Sequence, residues 1–360
     1  MKTLFGKRRR DLLAQLASAK LHGLLISRPA NWYYLTGFTG DSGALLATKY
    51  GTALVTDGRF TGQARQETSG VRIVPQSGSL LDSAGAWLVG QRVRRVGFDP
   101  QQVTVAQLAA LRKATGSRVT WVPVAGLPET LRMKKDPSEL AQMRKAALLA
   151  SEVVAAAANL LKPGVREFEV AAEIEYQMRK RGASGPAFET IVASGKRTAL
   201  PHARPTAKRL AKNELVVLDL GVILGHYCSD ITRTFYLGRA PERVRGWYRA
   251  VQEAQVAAIA AVRAGATCGD VDAAARQVLA GHRLDRHFVH STGHGLGLEV
   301  HEDPRVAKRQ TRRLEPGYVV TIEPGVYVEG VGGIRIEDDV AVHVGRTEVL
   351  TRFTRDLIEI

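Results

Sequence analysis

Short apolar runs alternate with amphipathic stretches through the first third of the chain. Leu24-Leu25-Ile26, residues 43–48 and residues 52–56 predict strands, the last two joined by a turn at Lys49-Tyr50-Gly51. Further strands are expected at 71–74, 93–98 and 119–122, with helical spacing near 11–19, 80–89 and 105–114. Strands alternating with helices predict an α/β layer of its own. The pattern changes at 132–137. Asp136 suits a helix cap, Pro137 the first helical position and Glu139 the reciprocal place of a capping box. The helix that follows carries Leu140, Met143, Ala147, Val154, Ala158 and Leu161 at helical spacing, until Lys162-Pro163-Gly164 stops it. Helices are also expected at about 166–181 and 242–263. From Glu214 onward short strands and glycine-rich loops dominate, so the expectation is two domains with a boundary near 132–137, the first of them α/β.

Polar residues set into two of the apolar stretches carry the candidate chemistry. Glu214-Leu-Val-Val-Leu-Asp-Leu-Gly221 and Cys228-Ser-Asp-Ile-Thr-Arg-Thr-Phe235 read as strands, and the midpoint between Asp219 and Asp230 falls between Leu224 and Gly225. A tight hairpin there, with Gly225 supplying a positive φ, sets the two aspartates face to face. Directly opposed residues bring their Cβ atoms to about 4.5–5.5 Å. Two like charges at that spacing raise each other's pKa unless a cation lies between them.

The same arithmetic applies to Glu323 and Glu337, centred on residue 330 in the loop Glu329-Gly-Val-Gly-Gly333, although Pro324 cannot donate to such a ladder. Arg335, two residues before Glu337, shares its face on a strand. Between the hairpins lies His290-Ser-Thr-Gly-His-Gly-Leu-Gly-Leu-Glu-Val-His301, where Gly293 and Gly295 let backbone or ligand approach His294 closely. Each of these features is ordinary alone. Together they predict four carboxylates and one imidazole, a mostly oxygen donor set that suits Mn²⁺ or Co²⁺ and, less well, Zn²⁺. Four negative charges balance two divalent ions, which in such sites lie roughly 3.5–4 Å apart.

Composition excludes other classes. Hydrophobic residues are 45% and charged residues 24% of the 360, which argues against disorder and collagen-like repeats. No apolar run approaches the roughly 20 residues of a membrane helix. The first apolar stretch is cut by Asp11, Gln15 and Lys20, against a secretory signal. Cys228 and Cys268 are too few for a disulfide framework, so a reducing cytoplasm is expected. The net charge of +16 is uneven, residues 1–135 holding 20 basic and 7 acidic side chains. That half raises nucleic-acid binding as an alternative. The absence of an RRM, KH or zinc-finger signature, and of aromatics interleaved with the basic residues, disfavours it.

The motifs together resemble the proline-specific metallopeptidases of the pita-bread fold, Xaa-Pro aminopeptidase and Xaa-Pro dipeptidase (prolidase). The matching segments are Pro201-His-Ala-Arg-Pro205, Leu218-Asp-Leu-Gly221, Tyr227-Cys-Ser-Asp-Ile-Thr-Arg-Thr234, Ser291-Thr-Gly-His-Gly295, Val300-His-Glu302, Thr321-Ile-Glu-Pro-Gly325 and Arg335-Ile-Glu-Asp338. Asn31-Trp-Tyr-Tyr-Leu-Thr-Gly-Phe38 and Val55-Thr-Asp-Gly-Arg59 resemble the creatinase-type N-terminal domain of that family. The resemblance covers the whole chain. It implies a creatinase-type domain over 1–133 and an α+β pita-bread catalytic domain with a curved, mainly antiparallel sheet over 134–360.

The resemblance also implies that Asp219, Asp230, His294, Glu323 and Glu337 hold two divalent ions, Mn²⁺ first among them, with Asp230 and Glu337 bridging and Glu323 moving a proton. His202, His290 and His301 match the family's histidines around the ligands and substrate, Arg335 the arginine beside the last ligand, and Thr232 a hydrogen-bond partner of a ligand carboxylate. The implied substrates are small peptides with proline second, cleaved by a homodimer. Overall resemblance leans to aminopeptidase over dipeptidase activity. Methionine aminopeptidase and creatinase share the fold. The N-terminal domain and Pro201–Pro205 disfavour the first, the full ligand set the second.

Overall fold

In the computed structural model, which describes residues 2–360 and side chains from residue 4, the chain divides into two compact units, Met1–Arg132 and Met133–Ile360. The first is built on a six-stranded sheet in the order Arg72–Pro75, Gly51–Thr56, Ala44–Thr48, Gly23–Ile26, Arg95–Phe98, Thr120–Pro123. All six are the strands the apolar runs predict. Leu25, Leu46, Val55 and Val96 bury against Leu88 of the helix Leu80–Gly90 and Leu111 of the helix Val105–Thr115.

The first helix spans Lys2–Ser18, longer than its apolar stripe, because its basic residues also work inside the unit. Arg8 stacks 4.1 Å from the centre of the Tyr34 ring and donates to Tyr34 O, and Arg9 donates to Leu35 O and Ser69 O. The aromatic motif that reads as a domain signature forms a helix, Pro29–Thr36, ended by Gly37 at φ 80°. Its eight residues are too few to show a period, so spacing did not predict it.

The second unit opens with the capping box as expected. The Asp136 side chain accepts from the backbone of Ser138 and Glu139, the Glu139 side chain reaches back to the Asp136 N–H, and the helix runs Pro137–Ala158. With the helix Glu167–Lys180 it covers one face of an open sheet, Ile358–Glu359, Ile231–Leu237, Glu214–Leu220, Ile191–Ser194. A second helix pair, Glu242–Ala261 and Cys268–Gly281, packs over an open five-stranded sheet that includes Gly293–Gly295, Val319–Ile322 and Asp338–Val342. The helix Cys268–Gly281 escaped the sequence reading because glycine and two aspartates open it. Its signal was a capping box, Thr267 with Asp270.

This arrangement decides where the acids lie. Along Glu214–Leu220 the alternate residues Val216, Leu218 and Leu220 pack toward the helices, so Asp219 points to the other face. Among the described residues no helix is long and apolar enough to cross a membrane.

Candidate metal centre

The first hairpin differs from its predicted register. Leu224 pairs with Tyr227, and the turn residues are Gly225 and His226, with φ of 54° and 72°. Both left-handed positions of a two-residue turn are thus filled, one of them by a non-glycine residue the spacing argument did not single out. Asp219 consequently faces Thr232, not Asp230. Because side chains alternate with a period of two, Asp230 keeps the same face as Thr232, and the two acids are diagonal neighbours. Gly221 makes the close approach possible, since a Cβ there would lie 2.1 Å from Ser229 O.

The second hairpin keeps its register. Gly325 pairs with Arg335 and Val328 with Gly332, while beyond the interruption Ile322 pairs with Asp338. Both ladders share one register, which sets Glu323 opposite Glu337. Pro324 ends the first strand and still accepts from Ile336 N at 3.4 Å.

These strands and the loop from His290 to His301 wall a cavity of about 630 Å³. Asp219, Asp230, His294, Glu323, Glu337, Arg335, His202, His290 and His301 all line it, so the structure brings together every predicted site residue except Thr232, which sits behind the wall. One oxygen each of Asp230 and Glu337 and one ring nitrogen of His294 lie within 4.8 Å of one another. His294 Nε2 stands 3.7 Å from both Asp230 Oδ2 and Glu323 Oε1, and its Nδ1 lies 2.9 Å from Gly295 O. A nitrogen against a carbonyl carries the hydrogen, so Nε2 turns its lone pair toward the acids.

The electrostatics are those of a cation site. Burial first, then neighbouring acids, holds the carboxyls of Asp230 and Glu337 well above their ordinary range. Burial and Asp219 push Glu323 up to about 8 against the pull of Arg335. Burial lowers His294 to about 4, leaving a neutral imidazole. Asp219 Oδ1 is buried without a partner, although Oδ2 takes Arg335 Nη2 at 2.5 Å. Acids, a lone pair and an orphaned oxygen turned to one space fit divalent ions, which supply the missing positive charge.

The surroundings fix these groups. Thr232 Oγ1 donates to Glu337 Oε2 at 2.6 Å and accepts from Arg335 Nε at 3.1 Å. The Asp230 N–H donates to Asp339 Oδ2. Burial opposes the charge on Arg335, but Tyr327, Asp219, Glu323 and Glu337 outweigh it, so the guanidinium stays protonated.

His290 is engaged at both ring nitrogens, 2.8 Å from Ser291 O and 2.9 Å from the Tyr327 hydroxyl, which also takes Arg335 Nη1 at 2.7 Å. Burial and the neighbouring Arg335 lower it to about 4. It therefore holds Tyr327 and Arg335 in place, while His202 and His301 are the histidines on the exposed wall. The His301 ring meets that of His294 edge-on, centroids 4.4 Å apart.

Sequence reasoning missed Tyr327 and the pair Asp272–Arg276. Asp272 holds Thr292 N and Oγ1, and Arg276 donates to Phe288 O and His290 O, so together they anchor the histidine loop. Tyr327 was legible as a polar group two residues beyond Gly325 on the same strand face. Asp272 lies on the helix that was not predicted.

Residues 141–343 match the model of metallopeptidase family M24, and residues 8–134 that of the creatinase/prolidase N-terminal domain. An uncharacterised peptidase of Bacillus subtilis is 37% identical over 97% of this chain and 98% of its own. Among solved structures, an Xaa-Pro dipeptidase from Bacillus anthracis superposes with a TM-score of 0.96 at 35% identity, covering 99% of this chain and 100% of its own. An X-Pro aminopeptidase from Thermotoga maritima superposes with a TM-score of 0.89 at 33% identity, over 98% of this chain and 100% of its own.

Proposed function

The chain belongs to metallopeptidase family M24, and from that premise we propose that it hydrolyses the Xaa-Pro bond at the N-terminus of short peptides, as an Xaa-Pro aminopeptidase with a creatinase-type domain over 1–133 and a catalytic domain over 134–360. The observation that carries the reading is the convergence of four acids and a neutral imidazole on one cavity. Asp219, Asp230, His294, Glu323 and Glu337 would hold two divalent ions, with Mn²⁺ favoured by the oxygen-rich donor set. When bound, such ions polarise a carbonyl and acidify water.

The protein's own groups supply the rest. Glu323, on the cavity wall 3.7 Å from His294 Nε2, would take and return the proton of the attacking water. Arg335 fixes Asp219, and Thr232 fixes Glu337. His202 and His301, on the cavity wall, would meet the scissile carbonyl oxygen and the leaving proline nitrogen, and the wall of Phe188, Ile191 and Pro201 suits the proline ring. An Xaa–Pro bond offers no amide hydrogen, so a site that grips the ring does not depend on strand-like pairing with substrate. A homodimer in the cytoplasm belongs to the same reading.

Dipeptidase activity is the second reading. It is favoured by Arg204 and Arg305 on the cavity wall, which would attract the carboxylate of a C-terminal proline, and by the likeness to the Bacillus anthracis enzyme. The basic N-terminal unit gains no support as a nucleic-acid module from any of these likenesses.

Parallel hydrolysis of Xaa-Pro and Xaa-Pro-Yaa peptides with Mn²⁺, Co²⁺, Zn²⁺ and chelator tests the proposal. Cleavage of the longer peptides with Mn²⁺ supports it, cleavage of dipeptides alone moves the assignment to a dipeptidase, and turnover unaffected by chelator removes the metal reading.

A further inference from the structure

The loop between the strands Gly293–Gly295 and Glu302–Val306 ends at His301 and is closed by a buried charge pair the chemistry above does not use. Lys135 Nζ lies 3.1 Å from Glu302 Oε2, with side chains 1% and 6% exposed. The desolvation penalty of burying such a pair can exceed the attraction between its charges, so it is weak as a device for stability alone. Its geometry shows what else it does. Glu302 Oε1 accepts from Glu299 N at 3.1 Å, across the mouth of the loop. Its carboxylate also fills the space beside Gly297, where a Cβ would lie 2.7 Å from Oε2. Lys135 is itself held by its own N–H on Gly317 O. The loop is tied at its far side by Cys228 N to Gly297 O, and its last residue, His301, stacks edge-on against His294. The carboxylate thus forms the inner brace of the segment that presents His301 to the cavity, and the lysine is what makes a buried carboxylate tolerable there.

We infer that Lys135 and Glu302 are positioning residues for His301: the ammonium neutralises the carboxylate, which clamps residues 297–299 and so fixes the histidine against the cavity wall. The inference rests on the peptidase reading for its kinetic arm only. Two double variants, both without the buried charges, isolate the clamp. Lys135→Met with Glu302→Gln keeps an acceptor for Glu299 N–H, whereas Lys135→Met with Glu302→Ala does not. Lys134→Met, on the exposed neighbour, is the control.

Hydrogen exchange of residues 296–302 and steady-state kinetics on an Xaa-Pro peptide with Mn²⁺ are measured for each. The Gln double variant is expected to keep kcat within about threefold of wild type. The Ala double variant is expected to lose roughly 10- to 100-fold in kcat, with faster exchange confined to the loop. Lys135→Met alone should resemble the Ala double variant, by leaving the Glu302 carboxylate without its ammonium partner. Equal kcat and equal exchange in the two double variants overturn the inference, as does fast exchange in the loop with wild-type kcat. Should the wild-type protein cleave no Xaa-Pro peptide, the functional reading falls, while the exchange comparison still judges the clamp.

Discussion

Stripping the metal should make the protein lose stability as pH rises, the reverse of what paired carboxylates usually do. Glu323 sits at about 8 in the folded protein because burial and Asp219 outweigh Arg335, against an ordinary carboxyl value near 4.5. A raised carboxyl binds in the folded state a proton that the unfolded chain has released. Its contribution is therefore fully present below the unfolded value and disappears as pH climbs through about 8. At 1.36 kcal/mol per unit the shift amounts to about 5 kcal/mol, a large part of the 5–15 kcal/mol by which folded proteins persist. Asp230 and Glu337, raised for the same reasons, push the same way.

At roughly 2–4 °C per kcal/mol, Glu323 alone lowers the melting temperature of the chelated protein by about 10–20 °C between pH 5 and 8.5; the neutral His290 and His294 work the other way below about pH 6.5, so the fall should be clearest from pH 7 to 8.5. Divalent ions require the deprotonated ligands, so their protection should grow over the same interval. At 100 times its dissociation constant Mn²⁺ adds about 2.7 kcal/mol, or roughly 5–10 °C, at pH 8.5 and little at pH 5. Scanning calorimetry of chelated and Mn²⁺-loaded protein at the two pH values reads both effects. A metal-free melting temperature, read also at pH 7, that is level or rises from there to pH 8.5 would refute the account of the acid cluster.

Three substitutions probe single links of the same chain of reasoning. Glu323→Ala should lower kcat about 10²- to 10⁴-fold, the usual share of a proton-transferring group, while the metal-free protein gains stability at pH 8.5 because one buried acid is gone; turnover close to wild type would remove Glu323 from the chemistry. Thr232→Val takes a hydrogen bond from Glu337 and one from Arg335, so calorimetric Mn²⁺ affinity should fall about 10- to 100-fold with the fold intact, and unchanged affinity would show that Glu337 needs no such support. Asp272→Ala strands the Arg276 guanidinium and the Thr292 N–H and hydroxyl, and should cost about 3–5 kcal/mol in a thermal melt, with a loss under 1 kcal/mol counting against the anchoring of the histidine loop.

Patterns with a short range were legible in the chain itself. Six apolar runs became the six strands of the N-terminal unit because a buried strand needs only a few β-branched or aliphatic residues in a row. Asp136, Pro137 and Glu139 marked a helix start because a cap is made by residues three apart. The hairpin centred on residue 330 kept its register since three closely placed glycines left one place for the turn.

What the tertiary structure alone decided are matters of which backbone geometry, and which distant group, wins. His226 took a left-handed position that spacing assigned elsewhere, and so Asp219 faces Thr232 instead of Asp230. Arg8 and Arg9, plain surface charge in the sequence, are used inside the N-terminal unit. His290, matched by resemblance to the histidines around the ligands and substrate, meets the hydroxyl of Tyr327, 37 residues along the chain. Lys135 meets Glu302 across 167 positions. A periodic pattern reports which face of an element is buried. It does not report which buried polar groups meet, since that depends on how the two helix pairs seat the sheets, and those contacts set the charge and aim of every group in the cavity.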